Sequence, residues 1–188
     1  MAVLQMEGVA CIRGGRLLFE GVDLSLGKGE AALLRGPNGA GKSSLIRIAA
    51  GLLRAAAGTV TRTAPLALAD EASALDERLT LGAALGFWAR LDGVRAEPGM
   101  DAMGLTHLAA VPVHMLSTGQ RKRAVLARVV ASGAPLWLLD EPTNGLDGEG
   151  QERLGAAISA HRSTGGAVLA ASHQPLGLAD ALTLRLGA

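Results

Sequence analysis

The sequence is poor in several features that would each point to a class of function. It contains one cysteine, Cys11, so no disulfide can form within the chain, and a reducing compartment is expected. It contains no tyrosine, and aromatic residues make up only 2% of the chain. The core must therefore be aliphatic, and base stacking on aromatic side chains is disfavoured. The formal net charge is +1, so we expect no general nucleic-acid-binding surface.

Signals for secretion or membrane insertion are also lacking. The stretch MAVLQMEGVACIRGGR has no basic region followed by a long apolar run, so no signal peptide is predicted. Residues 102–120 contain no Asp, Glu, Lys or Arg, but two histidines, a proline and a polar end make them a poor membrane span. Any role at a membrane is therefore expected to depend on a partner.

Aliphatic sequence is abundant: 49% of the 188 residues are hydrophobic, which suits one compact α/β domain. Short apolar runs at 30–36, 134–142 and 166–173 predict buried parallel strands, and helical periodicity separates them. Alternation in GVDLSLGKGE predicts an antiparallel edge strand, and one further strand is predicted after Gly58. We predict a single domain over 1–188, with a core at 1–78 and 116–188 and a helical segment at about 79–115.

The motif GPNGAGKS lies between a predicted strand and a predicted helix, and it fits the pattern of a phosphate-binding loop. Lys42 is expected to reach the β- and γ-phosphates, and the Ser43 hydroxyl to bind Mg²⁺. The alternative is a glycine-rich turn with a surface lysine. The predicted nucleotide-binding residues are Gly36, Pro37, Asn38, Gly39, Ala40, Gly41, Lys42, Ser43 and Ser44.

Two acids and a histidine follow the next buried strands. Asp140 is placed to hold Mg²⁺ through a water, and Glu141 to polarise an attacking water, although paired acids at a strand end could also cap a helix. His173 is predicted to face the γ-phosphate, against the alternative of an ordinary surface or core histidine. The predicted catalytic residues are Lys42, Glu141 and His173, and the other histidines are expected to be structural.

The segment LSTGQRKRAVLARVV allows two interpretations. Ser117 and Thr118 could cap a helix, and Gly119 would loosen its first turn. The same exposed helix start could face a phosphate. The segment alone does not decide between them.

The phosphate loop, LSTGQ, LLDEPTNGLD and the strand-terminal histidine occur in the order and spacing of ATP-binding cassette (ABC) ATPases, which the whole chain resembles. The resemblance implies a P-loop NTPase three-layer sandwich with an antiparallel β subdomain and a helical subdomain. Only 74 residues separate Lys42 from Leu116, so that subdomain is reduced. The resemblance also implies ATP and Mg²⁺ as cofactors and a head-to-tail homodimer. In that dimer, each ATP lies between the phosphate loop of one chain and the signature of the other, and the D-loop residue Asp147 lies at the dimer seam. The signature residues are Ser117, Thr118, Gly119 and Gln120.

The chain departs from the family pattern at three places. Thr118 stands where the signature usually has glycine. Arg13 stands where the family has an aromatic residue that stacks on adenine; its guanidinium could stack on a base, or it could be a solvated loop residue. The glutamine expected after the third strand is missing, and Asp70 and Glu71 occupy the region. Glu71 is the candidate there for a contact to Mg²⁺ through water.

Four segments, CIRGGRLLF, VPVHMLSTGQRKRAVLARV, APLWLLDEP and SHQPL, resemble the ABC ATPases that serve haem export in cytochrome c maturation. This implies CcmB- and CcmC-like permease subunits as partners, and a peripheral position on the cytoplasmic face of the inner membrane. The alternatives are the ATPase of another small-molecule exporter, a soluble ABC ATPase acting on DNA or ribosomes, and a degenerate cassette without turnover. The near-neutral charge argues against the second, and Glu141 and His173 argue against the third.

Overall fold

The computed structural model describes residues 1–70, 74–178 and 180–187. Its strands are β1 Ala2–Arg13, β2 Arg16–Gly27, β3 Ala31–Arg35, β4 Ala57–Arg62, β5 Leu66–Ala69, β6 Leu136–Asp140, β7 Ala167–Ala171 and β8 Leu182–Arg185. Its helices are α1 Lys42–Ala50, α2 Leu81–Asp92, α3 Glu97–Ala102, α4 Thr118–Ala131 and α5 Gly148–Ser163. Short 3₁₀ turns lie at Thr106–Leu108 and Val113–Met115.

A five-stranded parallel sheet in the order β5-β6-β7-β3-β8 forms the centre of the fold. Every residue of β6 and β7 is buried, because both faces of these strands are covered. Parallel strands end at the same edge of a sheet, so the segments that follow β3, β6 and β7 meet there. Those segments carry the phosphate loop, the two acids and His173.

A second, antiparallel sheet has the order β2-β1-β4, with β2 at an edge as predicted. Strands β1 and β2 are joined by a two-residue turn at Gly14 and Gly15, whose φ angles are 54° and 75°. Tight hairpin turns that match strand twist need positive φ at both central residues, which glycine adopts without steric cost. The hairpin brings Leu18 and Phe19 beside the phosphate loop.

The single strand predicted after Gly58 is in fact two strands in different sheets. β4 pairs with β1 in the antiparallel sheet, whereas β5 pairs with β6 in the parallel sheet. The break falls between them at residues 63–65, where Pro65 cannot donate a hydrogen bond to a neighbouring strand. The chain crosses from one sheet to the other at this point.

Apolar side chains pack on both faces of the parallel sheet. Leu33 of β3 belongs to the cluster that includes residues of α2, α3, α4 and α5, whereas Leu34 belongs to the cluster formed with α1 and the antiparallel sheet. Successive side chains of a strand point to opposite faces, so one strand contributes to both clusters. The three layers are thus helices, parallel sheet, and α1 with the antiparallel sheet, which confirms the predicted fold class.

Between Leu81 and Met115 the chain forms α2, α3 and the two 3₁₀ turns, in line with the helical pattern of the sequence there. α2 begins after Thr80, whose hydroxyl accepts a hydrogen bond of 3.3 Å from the amide of Ala83. α2 and α3 pack against α4, the helix that carries LSTGQ at its start. The subdomain limits at 79 and 115 stay a prediction. In the described part of the chain, no helix combines the length and apolar character needed to cross a membrane.

Candidate nucleotide-binding and catalytic site

The phosphate loop joins the carboxyl end of β3 to α1. Gly41 is the N-cap of α1, with φ 98°, and a Cβ at this position would lie 2.8 Å from the ring of Phe19. Only glycine fits such a backbone beside the hairpin. The first turn of α1 contains no acidic residue, so the positive end of its dipole faces the loop uncompensated. A helix start of this kind is suited to bind phosphate.

Lys42, the first residue of α1, folds its side chain back over the loop. Its Nζ donates hydrogen bonds to the carbonyl oxygens of Gly36, at 2.9 Å, and Pro37, at 3.2 Å. The residue is only 8% exposed, and a buried ammonium group needs partners of this kind. The two bonds hold the positive charge above the loop backbone, where phosphate oxygens can also accept from it.

The two acids at the end of β6 have different environments. Asp140, the last residue of β6, is buried. Glu141 has φ 44° and is the only non-glycine residue with positive φ in the described chain. Its amide donates a 2.8 Å hydrogen bond to the carbonyl of Ala171 on β7, which fixes this strained turn. Such a conformation costs on the order of 1 kcal/mol and is found mainly at functional sites.

Glu141 and His173 are in contact, as expected for residues that follow neighbouring strands. Nε2 of His173 lies 3.4 Å from Oε1 of Glu141, and the amide of His173 donates to Oε2 at 3.4 Å. The carboxylate therefore touches both the ring and the backbone of the histidine. The His173 side chain is 53% exposed and the Glu141 side chain 16% exposed, so the histidine forms the solvent side of the pair.

Lys42, Glu141 and His173 line one cleft of about 510 Å³ at the carboxyl edge of the parallel sheet, and the buried Asp140 is not among its lining residues. Its lining joins predicted residues of the phosphate loop to Glu141 and His173. Two lining residues were not predicted, Leu18 and Asn144. Asn144 lies within LLDEPTNGLD and could have been identified from that motif. Leu18 reaches the cleft through the β1–β2 hairpin; Gly14 and Gly15 are a signal for the hairpin turn, but no local pattern shows that the hairpin folds against the phosphate loop. The full lining is Leu18, Asn38, Gly39, Gly41, Lys42, Ser43, Ser44, Glu141, Asn144 and His173.

The start of α4 forms a complete capping box. The amide of Gln120 donates to Oγ of Ser117 at 3.2 Å, and the amide of Ser117 donates to Oε1 of Gln120 at 2.9 Å. Gly119 packs against the chain after β6: a Cβ there would lie 3.1 Å from the carbonyl oxygen of Gly145. Ser117 and Thr118 are exposed, so the capped helix start is accessible to another molecule.

Asp147 also caps a helix. Its side chain accepts a 2.8 Å hydrogen bond from the amide of Gly150 at the start of α5. Together with the contact between Gly119 and Gly145, this places the NGLD segment beside the start of α4. The two segments therefore form one continuous surface of the chain.

Comparisons with known proteins agree with this geometry. Residues 19–144 match the family model described as ABC transporter. The chain is 59% identical over 188 residues to the cytochrome c biogenesis ATP-binding export protein CcmA of Sphingopyxis alaskensis, covering 98% of this chain and 97% of that protein. The identity to the CcmA of Novosphingobium aromaticivorans is 58%, covering 95% and 92%. The chain belongs to the ABC transporter family, in its CcmA branch.

Solved structures agree on the fold of this family. An ATP-binding subunit of an ABC transporter superposes with a TM-score of 0.87 at 22% identity, covering 98% of this chain and 85% of that one. At that identity the likeness is evidence for the fold alone. Membership of the ABC family makes the chain an ATP-binding and ATP-hydrolysing protein, and the cleft contains the residue types that this chemistry needs.

Arg13 and Asp70 stand at two of the departures from the family pattern, and neither is among the residues that line the cleft. Arg13 ends β1 opposite Arg16, is exposed, and does not line the cleft, so its role toward adenine stays a prediction. Asp70 directly follows β5, and its Oδ2 lies 4.0 Å from Nη2 of Arg47 on α1. Glu71, the candidate metal contact, lies outside the described residues.

Proposed function

We propose that this chain is the ATP-hydrolysing subunit of a haem export complex in cytochrome c maturation. The observation that carries the proposal is the cleft that joins Lys42, Glu141 and His173, in a chain 59% identical to a CcmA. Haem itself is expected to be handled by membrane subunits. The chain supplies the nucleotide chemistry and the closure of two ATP sites.

In the proposed hydrolysis, the loop amides and Lys42 bind the phosphates of ATP. The Glu141 carboxylate accepts a hydrogen bond from the attacking water and draws its proton as the oxygen–phosphorus bond forms. His173 donates to the γ-phosphate through its ring. The contact between His173 and Glu141 orients both groups toward the same point. ADP leaves with the bridging oxygen.

The donor groups at the site fit Mg²⁺. Ser43 offers a hydroxyl in the cleft, and Asp140 a buried carboxylate at the end of β6. Mg²⁺ prefers oxygen ligands, and in phosphoryl-transfer sites it is bound by one or two protein groups together with substrate phosphates and waters. Ser43 and Asp140 would hold the ion, Asp140 through a water, and the ion would neutralise charge on the phosphates.

Closure of the sites is proposed to need a second copy of the chain. The Ser117 hydroxyl already accepts the capping bond from Gln120, which orients the oxygen and leaves its proton to donate. A phosphate of the ATP bound to the partner would accept a hydrogen bond from that hydroxyl. It would also be attracted to the positive N-terminal end of the α4 dipole. Thr118, Gly119 and Gln120 complete this surface, and Asp147 lies beside it at the seam.

The membrane partners are proposed to be CcmB- and CcmC-like permease subunits, with this chain peripheral on the cytoplasmic face of the inner membrane. Two points support the proposal: the relatives are named as export proteins of cytochrome c biogenesis, and no described helix could cross a membrane. The conformational change of ATP-driven dimer closure would then be transmitted to those subunits.

Replacement of Glu141 by glutamine tests the hydrolytic role. E141Q keeps the side-chain shape but removes the base, so we expect steady-state ATPase activity to fall by about 100-fold or more while ATP binding is retained. E152Q, at an exposed position of α5, is the matched control and should behave as wild type. Unchanged ATPase activity in E141Q would show that another group activates the water.

The haem-export role needs a cellular test. In a bacterium whose own CcmA gene is deleted, wild-type chain should restore covalently bound haem in c-type cytochromes, and E141Q should not. Restoration by E141Q, or no restoration by a well-expressed, ATPase-active wild type, would contradict the assignment to cytochrome c maturation.

A further inference from the structure

A side chain links the strand that leads into the phosphate loop to the backbone of His173. Arg35 is the last residue of β3, immediately before Gly36. Its Nη1 donates a hydrogen bond of 3.3 Å to the carbonyl oxygen of His173, which lies 138 positions further along the chain. Neither the phosphate-loop motif nor the prediction for His173 gives Arg35 a role.

Both polar atoms of the peptide group that Arg35 contacts make hydrogen bonds. The peptide between His173 and Gln174 offers its carbonyl to Arg35, and its amide donates to Oγ of Ser172 at 3.1 Å. The preceding amide, that of His173, donates to Glu141. Arg35, Ser172 and Glu141 therefore hold the backbone on both sides of the histidine.

Ser172 and Glu141 are each held by further hydrogen bonds near the histidine. Arg35 differs from them because it comes from a distant part of the sequence. Ser172 is buried and its hydroxyl donates to the carbonyl of Gln174 at 3.0 Å, while Glu141 is held by its amide bond to Ala171. Among the described residues, Arg35 is the residue of β3 whose side chain binds the backbone of His173. A shift of that backbone would break or stretch this bond.

The Arg35 side chain can be removed without loosening the strand. The backbone carbonyl of Arg35 accepts a 2.8 Å hydrogen bond from the amide of Leu186, and β3 is paired with β7 on its other side. Arg185 lies directly opposite Arg35 on β8. Arg185 therefore presents a second guanidinium at the same level of the sheet, and within the described part of the chain no hydrogen bond or ion pair joins it to the histidine segment.

We propose that Arg35 is a positioning residue for ATP hydrolysis. It holds the carbonyl of His173, and thereby fixes the ring against Glu141 and in reach of the γ-phosphate. This inference rests on the proposed roles of Glu141 and His173. It adds a requirement that those roles do not contain: the arginine at the end of β3 acts on the turnover step through the histidine and not on ATP binding.

The test uses the full-length chain with MgATP and compares R35M, R35K and the matched control R185M. ATP affinity is measured by titration and turnover by phosphate release. In R35M we expect the turnover number to fall about tenfold, equivalent to about 1.4 kcal/mol in the barrier. The ATP dissociation constant should stay within about twofold of wild type. R35K keeps a cationic donor and should recover activity to within about threefold; R185M should match wild type.

A double-mutant comparison separates positioning from general stability. If Arg35 acts through the histidine, adding R35M to H173A should cause no further loss of turnover. A further loss of about tenfold in that background, or equal activity of R35M and wild type, would overturn the inference. Weakened ATP binding in R35M with unchanged turnover would overturn it too. If H173A loses activity but R35M behaves as wild type, the inference about Arg35 is wrong and the proposed function stands. If the wild-type chain itself has no ATPase activity, the proposed function is refuted.

Discussion

Mild acid is expected to destabilise this chain through His161, at the end of α5. The imidazole ring stacks on Trp137 of β6, with ring centroids 3.9 Å apart and an interplanar angle of 7°. Its Nε2 is buried without a hydrogen-bond partner among the described residues. Burial lowers the pKa of His161 below its usual 6.5, and backbone groups of Ala167 and Pro135 oppose that shift only in part.

The sign of the pH effect follows from this direction. The unfolded chain takes up a proton on His161 near pH 6.5, whereas the folded chain does so only at lower pH. The free energy of unfolding is therefore fully retained above pH 6.5 and falls as the pH drops toward the folded pKa. One proton contributes at most about 1.4 kcal/mol per pH unit. Because the ring is only half-buried, solvent screening keeps the expected loss between pH 6.5 and about pH 5.5 below that limit.

Urea unfolding of wild type and H161F at about pH 7.5 and about pH 5.5 measures this contribution. Phenylalanine keeps a flat ring against Trp137 but cannot be protonated, so the loss of unfolding free energy between the two pH values should be smaller in H161F than in wild type. H107Q, at an exposed histidine, is the control and should follow wild type. Equal pH dependence in H161F and wild type would refute the reasoning.

Two further substitutions test the surface of the proposed ATP site. S117R places a long cation at the start of α4, so we expect ATP-dependent dimerisation, followed by size-exclusion chromatography, to be lost; S117A controls for the cap, worth about 1 kcal/mol. Dimers formed as readily by S117R as by wild type would contradict the role of Ser117 toward the partner's ATP. R13A should weaken ATP binding by titration more than it lowers the melting temperature, and R16A, opposite it in the hairpin, should change neither. A lower melting temperature with unchanged binding in R13A would instead identify a structural residue.

The parts of the fold that could be predicted are those with local causes. β3, β6 and β7 are short apolar runs because both faces of a central parallel strand are covered. The phosphate loop is recognisable because its glycines and lysine are needed within eight consecutive positions. Since parallel strands end at one edge, the meeting of Glu141 and His173 with the loop also follows from the sequence.

β1 was not predicted because its burial does not alternate. Three consecutive residues, Val9, Ala10 and Cys11, are buried, and the pairing register with β2 shifts at several points along the strand. Gly8, with φ 57°, lies at one of these irregularities. Bulges of this kind break the period of two on which strand prediction depends.

The contact between Arg35 and His173 could not be predicted for a different reason, since no local pattern encodes a hydrogen bond between residues 138 positions apart.

The two interpretations of LSTGQ are compatible because they use different parts of one hydroxyl group. The Oγ lone pair of Ser117 accepts the capping bond from Gln120, and the proton remains for an acceptor outside the chain. Capping thus fixes the Ser117 oxygen in the orientation that the proposed contact with the partner's ATP requires. Thr118 adds bulk at this exposed helix start, and its methyl group lies on the side of the NGLD segment, 3.8 Å from the position that a Cβ would have at Gly145. The methyl group is therefore directed toward its own chain, while the Ser117 hydroxyl stays exposed beside it.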